Sequence, residues 1–204
     1  MYVPRNMQIE DLASCYALMD NYAFAILVSP DLQISHLPLY VARHEGLYGV
    51  IYGHMAKANP QWKVLDNAQV KVVFNGPHSY ISPGWYASGP AVPTWNYAAV
   101  HVSGQASVLS QEQTLSTIHT LVSRYEPELL SNQHLMPDDY QHKLMNALVG
   151  FKIDIQHIEG KHKLGQHRNI ADQQGTVAGL ARSEHPDAAA LLAYMQQVGL
   201  DTGR

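Results

Sequence analysis

GPHSYISPGWYASGPAVPTWNYAAVHVSG, residues 76–104, is the stretch on which the reading of this chain turns. Trp85 and Trp95 lie here with Tyr80, Tyr86, Tyr97, His78 and His101. Aromatic rings with polar tips can line a flat apolar ligand and still hydrogen-bond at its edge. Seven prolines and glycines between Gly76 and Pro93 predict that the segment is not one long strand. Before it, residues 68–76 alternate as a strand, with residues 78–86 as a hairpin partner. After it, residues 96–110 read as a long strand with a bulge or sharp bend at Gly104. The pattern is strand, stiff aromatic loop, strand, and the loop is where a planar cofactor is sought.

Working outward, residues 9–22 carry Leu12, Cys15, Tyr16 and Met19 at helical spacing. Residues 23–30 form a short apolar strand stopped by Pro30. Residues 31–46 read as a strand interrupted at Pro38, where an edge or bulge is expected. Residues 44–46 suit a hairpin turn into a strand over 47–55. Asn59 is a good N-cap and Pro60 a good first helical residue. Ser110 with Gln113 spells a capping box for a helix over 111–129. Asp138 and Asp139 suit the start of another helix, and residues 150–160 alternate as a final strand. The tail is predicted to be helical in two pieces, broken around His185 and Pro186.

Six or seven strands without a steady strand–helix alternation predict a mainly β protein with peripheral helices, an antiparallel barrel. The chain of 204 residues can bury a real core. We expect a barrel domain over 1–168 and a helical appendage over 169–204. A net charge of −4 with 13 scattered Lys and Arg gives no basic patch for coating nucleic acid. No apolar run reaches the length of a membrane span, and the N-terminus is too polar for a signal peptide. The single cysteine, Cys15, excludes an internal disulfide and reads as a buried thiol. A cytoplasmic location is expected.

The stretches GHMAKANPQW (53–62), GPHSYISPGWY (76–86), VPTWNYAAVHVSG (92–104) and GFKIDIQHIEGKHKLGQHR (150–168) resemble, in order, the signatures of PaiB-type proteins. MYVPRN at the start and SHLPL (35–39) match as well. These proteins are described as FMN-binding negative transcriptional regulators. The resemblance covers residues 1 to about 170. It implies an FMN-binding split barrel, similar to pyridoxamine 5′-phosphate oxidases, with FMN near a homodimer interface.

FMN needs a phosphate site, a sandwich for the isoalloxazine and hydrogen bonds along the pyrimidine edge. Lys57 just before the Asn59–Pro60 helix start offers a phosphate site, with His54 close in sequence. The bland readings are a plain cap and a solvated lysine. Lys161, Lys163 and Arg168 form a second basic set, the two lysines on one side of an extended segment; alternatively they are an exposed rim. The late family word is closer to KLSQNR. Here Gly165 removes a hydroxyl and His167 replaces an amide, while Lys163, Gln166 and Arg168 survive as ligand candidates. For the ring and its edge the candidates are His36, Leu37 and Pro38, where a strand edge leaves backbone groups free, and Ser79, Tyr80, Ile81 and Ser82. Trp95 and Asn96 read as ligand or interface residues from an opposite subunit. Trp62 and Trp85 read as packing residues.

The twelve histidines show no HExxH spacing, and without cysteine partners no metal site is expected. Neither a GxGxxG loop nor a P-loop is present. Three functions remain open. The first is a flavin-binding regulator acting on DNA directly or through a DNA-bound regulator. The second is an FMN-dependent oxidoreductase or flavin reductase, with no catalytic acid or base assignable from sequence. The third is haem binding through His36, His54 or His78. The 111–129 helix has Arg124 as its one basic residue, a poor recognition helix.

Overall fold

The computed structural model describes residues 1–203. Six strands form β1 (Phe24–Val28), β2 (Ile34–Ala42), β3 (Val50–Ala56), β4 (Gln69–Ile81), β5 (Thr94–Val108) and β6 (Leu148–Lys163). They close into a barrel in the order β1-β2-β3-β6-β5-β4. Five α-helices accompany them: α1 (Leu12–Asn21), α2 (Gln111–Tyr125), α3 (Asp138–Met145), α4 (Ile170–Arg182) and α5 (Ala188–Val198). The expected tail of two helices is present.

The chain gathers into two compact units. One comprises Cys15–Phe74 and His101–Ile158; the other comprises Met1–Ser14, Asn75–Val100 and Glu159 onward. In the first unit β2 pairs antiparallel with β1 over residues 34–38 and with β3 only from Leu39 onward. The change of partner falls at Pro38, which has no N–H to give to a ladder. The core of this unit holds Leu27, Ile51, Leu65, Val72, Phe74, Phe151 and Ile153, each fully buried. The core of the second unit holds Ile81, Val100, Leu164, Leu180, Leu191 and Met195.

Two of the expected strand features differ in the structure. β4 does not stop at Gly76 and turn back; it runs on to Ile81. Its buried residues are Val70, Val72, Phe74 and Gly76, then Pro77, Ser79 and Ile81. The alternation slips by one residue there. A side chain at Gly76 would meet the Ala98 carbonyl oxygen at 2.8 Å, so glycine lets the backbone of β5 come close instead of ending the strand. Gly104 likewise makes no bulge: Val100, Val102, Gly104 and Ala106 stay buried in phase. A Cβ on Gly104 would collide with the Asp154 carbonyl.

Helix starts follow their sequence signals. Ser110 and Gln113 form the reciprocal capping box of α2. Asn169 caps α4, accepting from the N–H of Asp172 at 2.8 Å. The structure begins and ends a 3-10 turn, Pro60–Val64, where an α-helix was anticipated after Asn59.

Candidate flavin site

The predicted residues fall into two groups, one in each unit. In the first, inward residues of β2 and β3 are odd-numbered: Leu39 faces Gly53 in register and both are buried. Outward residues are even-numbered, and Tyr40 and Tyr52 stack at 5.2 Å between ring centroids. His36, Pro38 and His54 continue that outer row. Leu37 points with Leu39, so it offers its backbone. Helix α2 packs on this face. Pro38, His54, Leu121, Val122, Tyr125 and Leu129 line a pocket of about 220 Å³ there. His54 Nδ1 is buried in it with no hydrogen-bond partner, and burial pulls the imidazole pKa below its usual value.

Beyond the end of β3, Lys57 is exposed. Its N–H donates to the Ala147 carbonyl at 2.8 Å, and its carbonyl accepts from the Trp62 indole at 2.9 Å. The side chain of Asn59 is spent on both ends: Oδ1 accepts from the Gln61 N–H at 3.0 Å and Nδ2 donates to Ser35 Oγ at 2.8 Å. The anticipated helix dipole is missing, because five residues of 3-10 turn carry little of it and Asn59 already caps them. What remains for an anion is the Lys57 ammonium, with Ser35 nearby through Asn59. Gln61, fully buried, ties the same loop to Leu27, Ser29 and Gln33.

In the second unit Ser79, Tyr80 and Ile81 end β4, and Ser82 caps the turn Pro83–Trp85 by accepting from the Gly84 N–H. Ser79 and Ile81 are buried. Tyr80 meets Trp95 edge-on at 6.3 Å and His185 at 5.9 Å. His78 lies 6.1 Å from the Trp95 ring and 3.6 Å from the Asp187 carboxylate. Trp95 itself remains 52% exposed, an unusual state for an indole in the middle of aromatic neighbours. Lys163 Nζ donates to Thr94 Oγ1 and to the Trp95 carbonyl, and burial followed by Lys161 lowers its pKa.

The other candidates of this group are structurally engaged. Asn96 is buried and donates to the Leu164 carbonyl at 2.8 Å. Lys161 is 6% exposed, no charged rim; it donates to the Tyr2 carbonyl at 3.0 Å and sits over the Tyr97 ring. Gln166 folds back on residues 162 and 164. Arg168 stacks on Tyr86 at 4.1 Å and lies 3.8 Å from Asp172. Ser35, His185 and Asp187 escaped the sequence reading. Each joins its group through a contact distant along the chain; Ser35 opens the SHLPL stretch, while His185 and Asp187 sit in no motif.

Trp85 does pack: methyl groups on Gly175 or Gly179 of α4 would overlap its carbonyl and its ring. Among the described residues no cluster of three or more His, Cys, Asp or Glu is placed to hold a metal, and no helix is long and apolar enough to cross a membrane.

The residues present fit a flavin: an exposed ammonium and a hydroxyl suit its phosphate, and an orphaned imidazole nitrogen beside an apolar pocket suits its ring. A family model described as "Putative FMN-binding domain" matches residues 1–157. The chain is 32% identical to the protease synthase and sporulation protein PAI 2 of Bacillus subtilis, over 96% of this chain and 97% of the relative. In fold it resembles the flavocytochrome Anf3 of Azotobacter vinelandii, with a TM-score of 0.63 at 14% identity, covering 80% of this chain and 73% of the other. It also resembles an FAD and haem binding protein of Mycobacterium smegmatis, with a TM-score of 0.57 at 14% identity over 76% and 73% of the two chains. The chain belongs to the PaiB-type FMN-binding family, with the split barrel as its fold and FMN as its cofactor.

Proposed function

We propose that the chain is a flavin-dependent negative regulator whose FMN lies near the interface of a homodimer. Lys57 carries the phosphate, with Ser35 and Asn59 ordering the loop beside it. The flavin edge runs along residues 36–38, where β2 has β1 on one side and β3 pairing has not begun. The free backbone groups of that edge suit the pyrimidine carbonyls and N–H. His54 adds a buried, neutral nitrogen. Trp95, with Tyr80 and Ser82, contributes from the second copy; Asn96, Lys161, Lys163, Gln166 and Arg168 hold that surface in shape. The observation that carries the reading is the exposed Lys57 beside a backbone edge and an orphaned His54. When bound, the flavin supplies redox chemistry, and its state would alter the dimer.

Regulation through a protein partner is favoured over reading of DNA by α2. Arg124, the basic residue of that helix, is held by Asp20 at 3.2 Å and lies over the Tyr40 ring. A band shift steeply weakened by salt would overturn this point. Loss of flavin colour on anaerobic addition of NAD(P)H would favour a reductase instead.

Flavin fluorescence during an FMN titration tests the site. Saturable binding is expected. Lys57→Ala should weaken it about tenfold or more, in line with the ~1.5–3 kcal/mol of a hydrogen bond to a charged group. Unchanged affinity in that variant would remove Lys57 from the site.

A further inference from the structure

A second pocket, of about 260 Å³, opens beside Lys57 in the same unit. Its wall includes Lys57, Trp62, Leu109, Gln111, Met145 and Asn146. We propose that it is a purine subsite continuous with the flavin phosphate position, so that the chain accepts FAD as well as FMN and holds FAD more tightly. This rests on the placement of the phosphate at Lys57.

The indole N–H of Trp62 is bound to the Lys57 carbonyl at 2.9 Å, so the ring is fixed against the Lys57 backbone before any ligand arrives. A preordered indole face is a stacking surface for a base, and stacking contributes about 1–3 kcal/mol per base. Met145 is buried at the pocket wall, where its soft thioether suits the edge of an aromatic ring. The N–H of Lys57 donates to the Ala147 carbonyl, which brings the turn after α3 against the phosphate position. Gln111 Nε2 donates to Asn146 Oδ1 at 3.4 Å. That leaves Gln111 Oε1 as an acceptor and Asn146 Nδ2 as donor. This is the pair of groups by which side-chain amides read the amino group and ring nitrogen of adenine.

The size agrees. Whole-cofactor pockets run to several hundred Å³ or more, and 260 Å³ suits one bicyclic base. Adenylate is what FAD adds to FMN, and it is joined through the same phosphate. A free adenine nucleotide would present the same base and an anion to Lys57.

The test is a set of titrations of the apoprotein with FMN, FAD and ADP, read by flavin fluorescence and, for ADP, by calorimetry. FAD is expected to bind at least about tenfold more tightly than FMN. Asn146→Ala at an exposed helix end should bring FAD down to the affinity of FMN while leaving FMN unchanged, and Trp62→Ala should cost FAD at least about tenfold more than it costs FMN. Equal affinities for the two flavins would overturn the purine subsite and leave the FMN site standing. So would variants that weaken both flavins alike. ADP binding abolished by Trp62→Ala, with FAD no tighter than FMN, would assign the pocket to a free nucleotide and overturn the FAD proposal. Failure of both flavins to bind would remove the flavin reading and this proposal with it.

Discussion

His54 and His162 are two imidazoles that the fold keeps neutral for the same reason. His54 faces an apolar pocket, and His162 is buried with its Nε2 2.7 Å from the Tyr194 hydroxyl. Burial lowers both pKa values below the ordinary 6.5, with Asp11 partly opposing this at His162. A group depressed in the folded state binds fewer protons there than in the unfolded chain over that interval. Its contribution is complete above about pH 6.5 and is lost as pH falls through the lowered folded value. The melting temperature should therefore decline from pH 7 to pH 5, and His54→Gln should flatten that slope. An identical slope in the variant would show that His54 takes no part. A separate, lower acid step belongs to Asp172. Hydrogen bonds from the Ser88 hydroxyl and N–H hold its carboxyl below the usual carboxylate range. Its contribution is present above the ordinary value near 3.8 and disappears as pH falls through the lowered one. Asp172→Asn should remove that step and lower the melting temperature at neutral pH.

Among the elements, α2 and β4 show what sequence can and cannot carry. The capping box of α2 was legible because both of its bonds lie within four consecutive residues. Ser110→Ala should cost about 1 kcal/mol, measured by urea denaturation. A cost near zero would mean that packing on β2 and β3 alone holds the helix start. The Asn59 cap was equally legible, but the use of its amide on Ser35 was not. That bond spans 24 residues and exists only once β2 and β3 are paired. The end predicted for β4 at Gly76 failed for a related reason. Whether a glycine breaks a strand or admits a neighbouring backbone depends on Ala98, which belongs to another strand. Replacing Gly76 by Val should destabilise the protein by more than the ~1 kcal/mol span of strand propensity, because the Ala98 carbonyl cannot be displaced cheaply. A loss within that span would mean the two strands can separate locally. Lys57 could be named as a candidate from spacing; the spent state of Asn96, Lys161 and Gln166 could not, since each is fixed by a carbonyl supplied by the fold.

For the whole molecule, closure of the six strands pairs most of the backbone groups that an open sheet would offer to a second copy, the β3 side of residues 36–38 excepted. The homodimer proposed above would then rest mainly on side chains, and Trp95 is one of the large exposed rings available for it. Trp95→Lys is expected to shift sedimentation from dimer to monomer and to weaken FMN binding together; a dimer with normal affinity would place the interface elsewhere. The composition of the second unit has a consequence in time. It is assembled from the first residues of the chain, its middle and its last segment: Gln8 bridges to Lys161, and Trp85 needs the glycines of α4. During synthesis the N-terminal segment leaves the ribosome long before either partner exists. The N-terminal strand of contacts must wait, unpaired, for translation to pass α4. Slowing the ribosome over residues 101–158 would lengthen that exposure without altering a single contact of the finished protein.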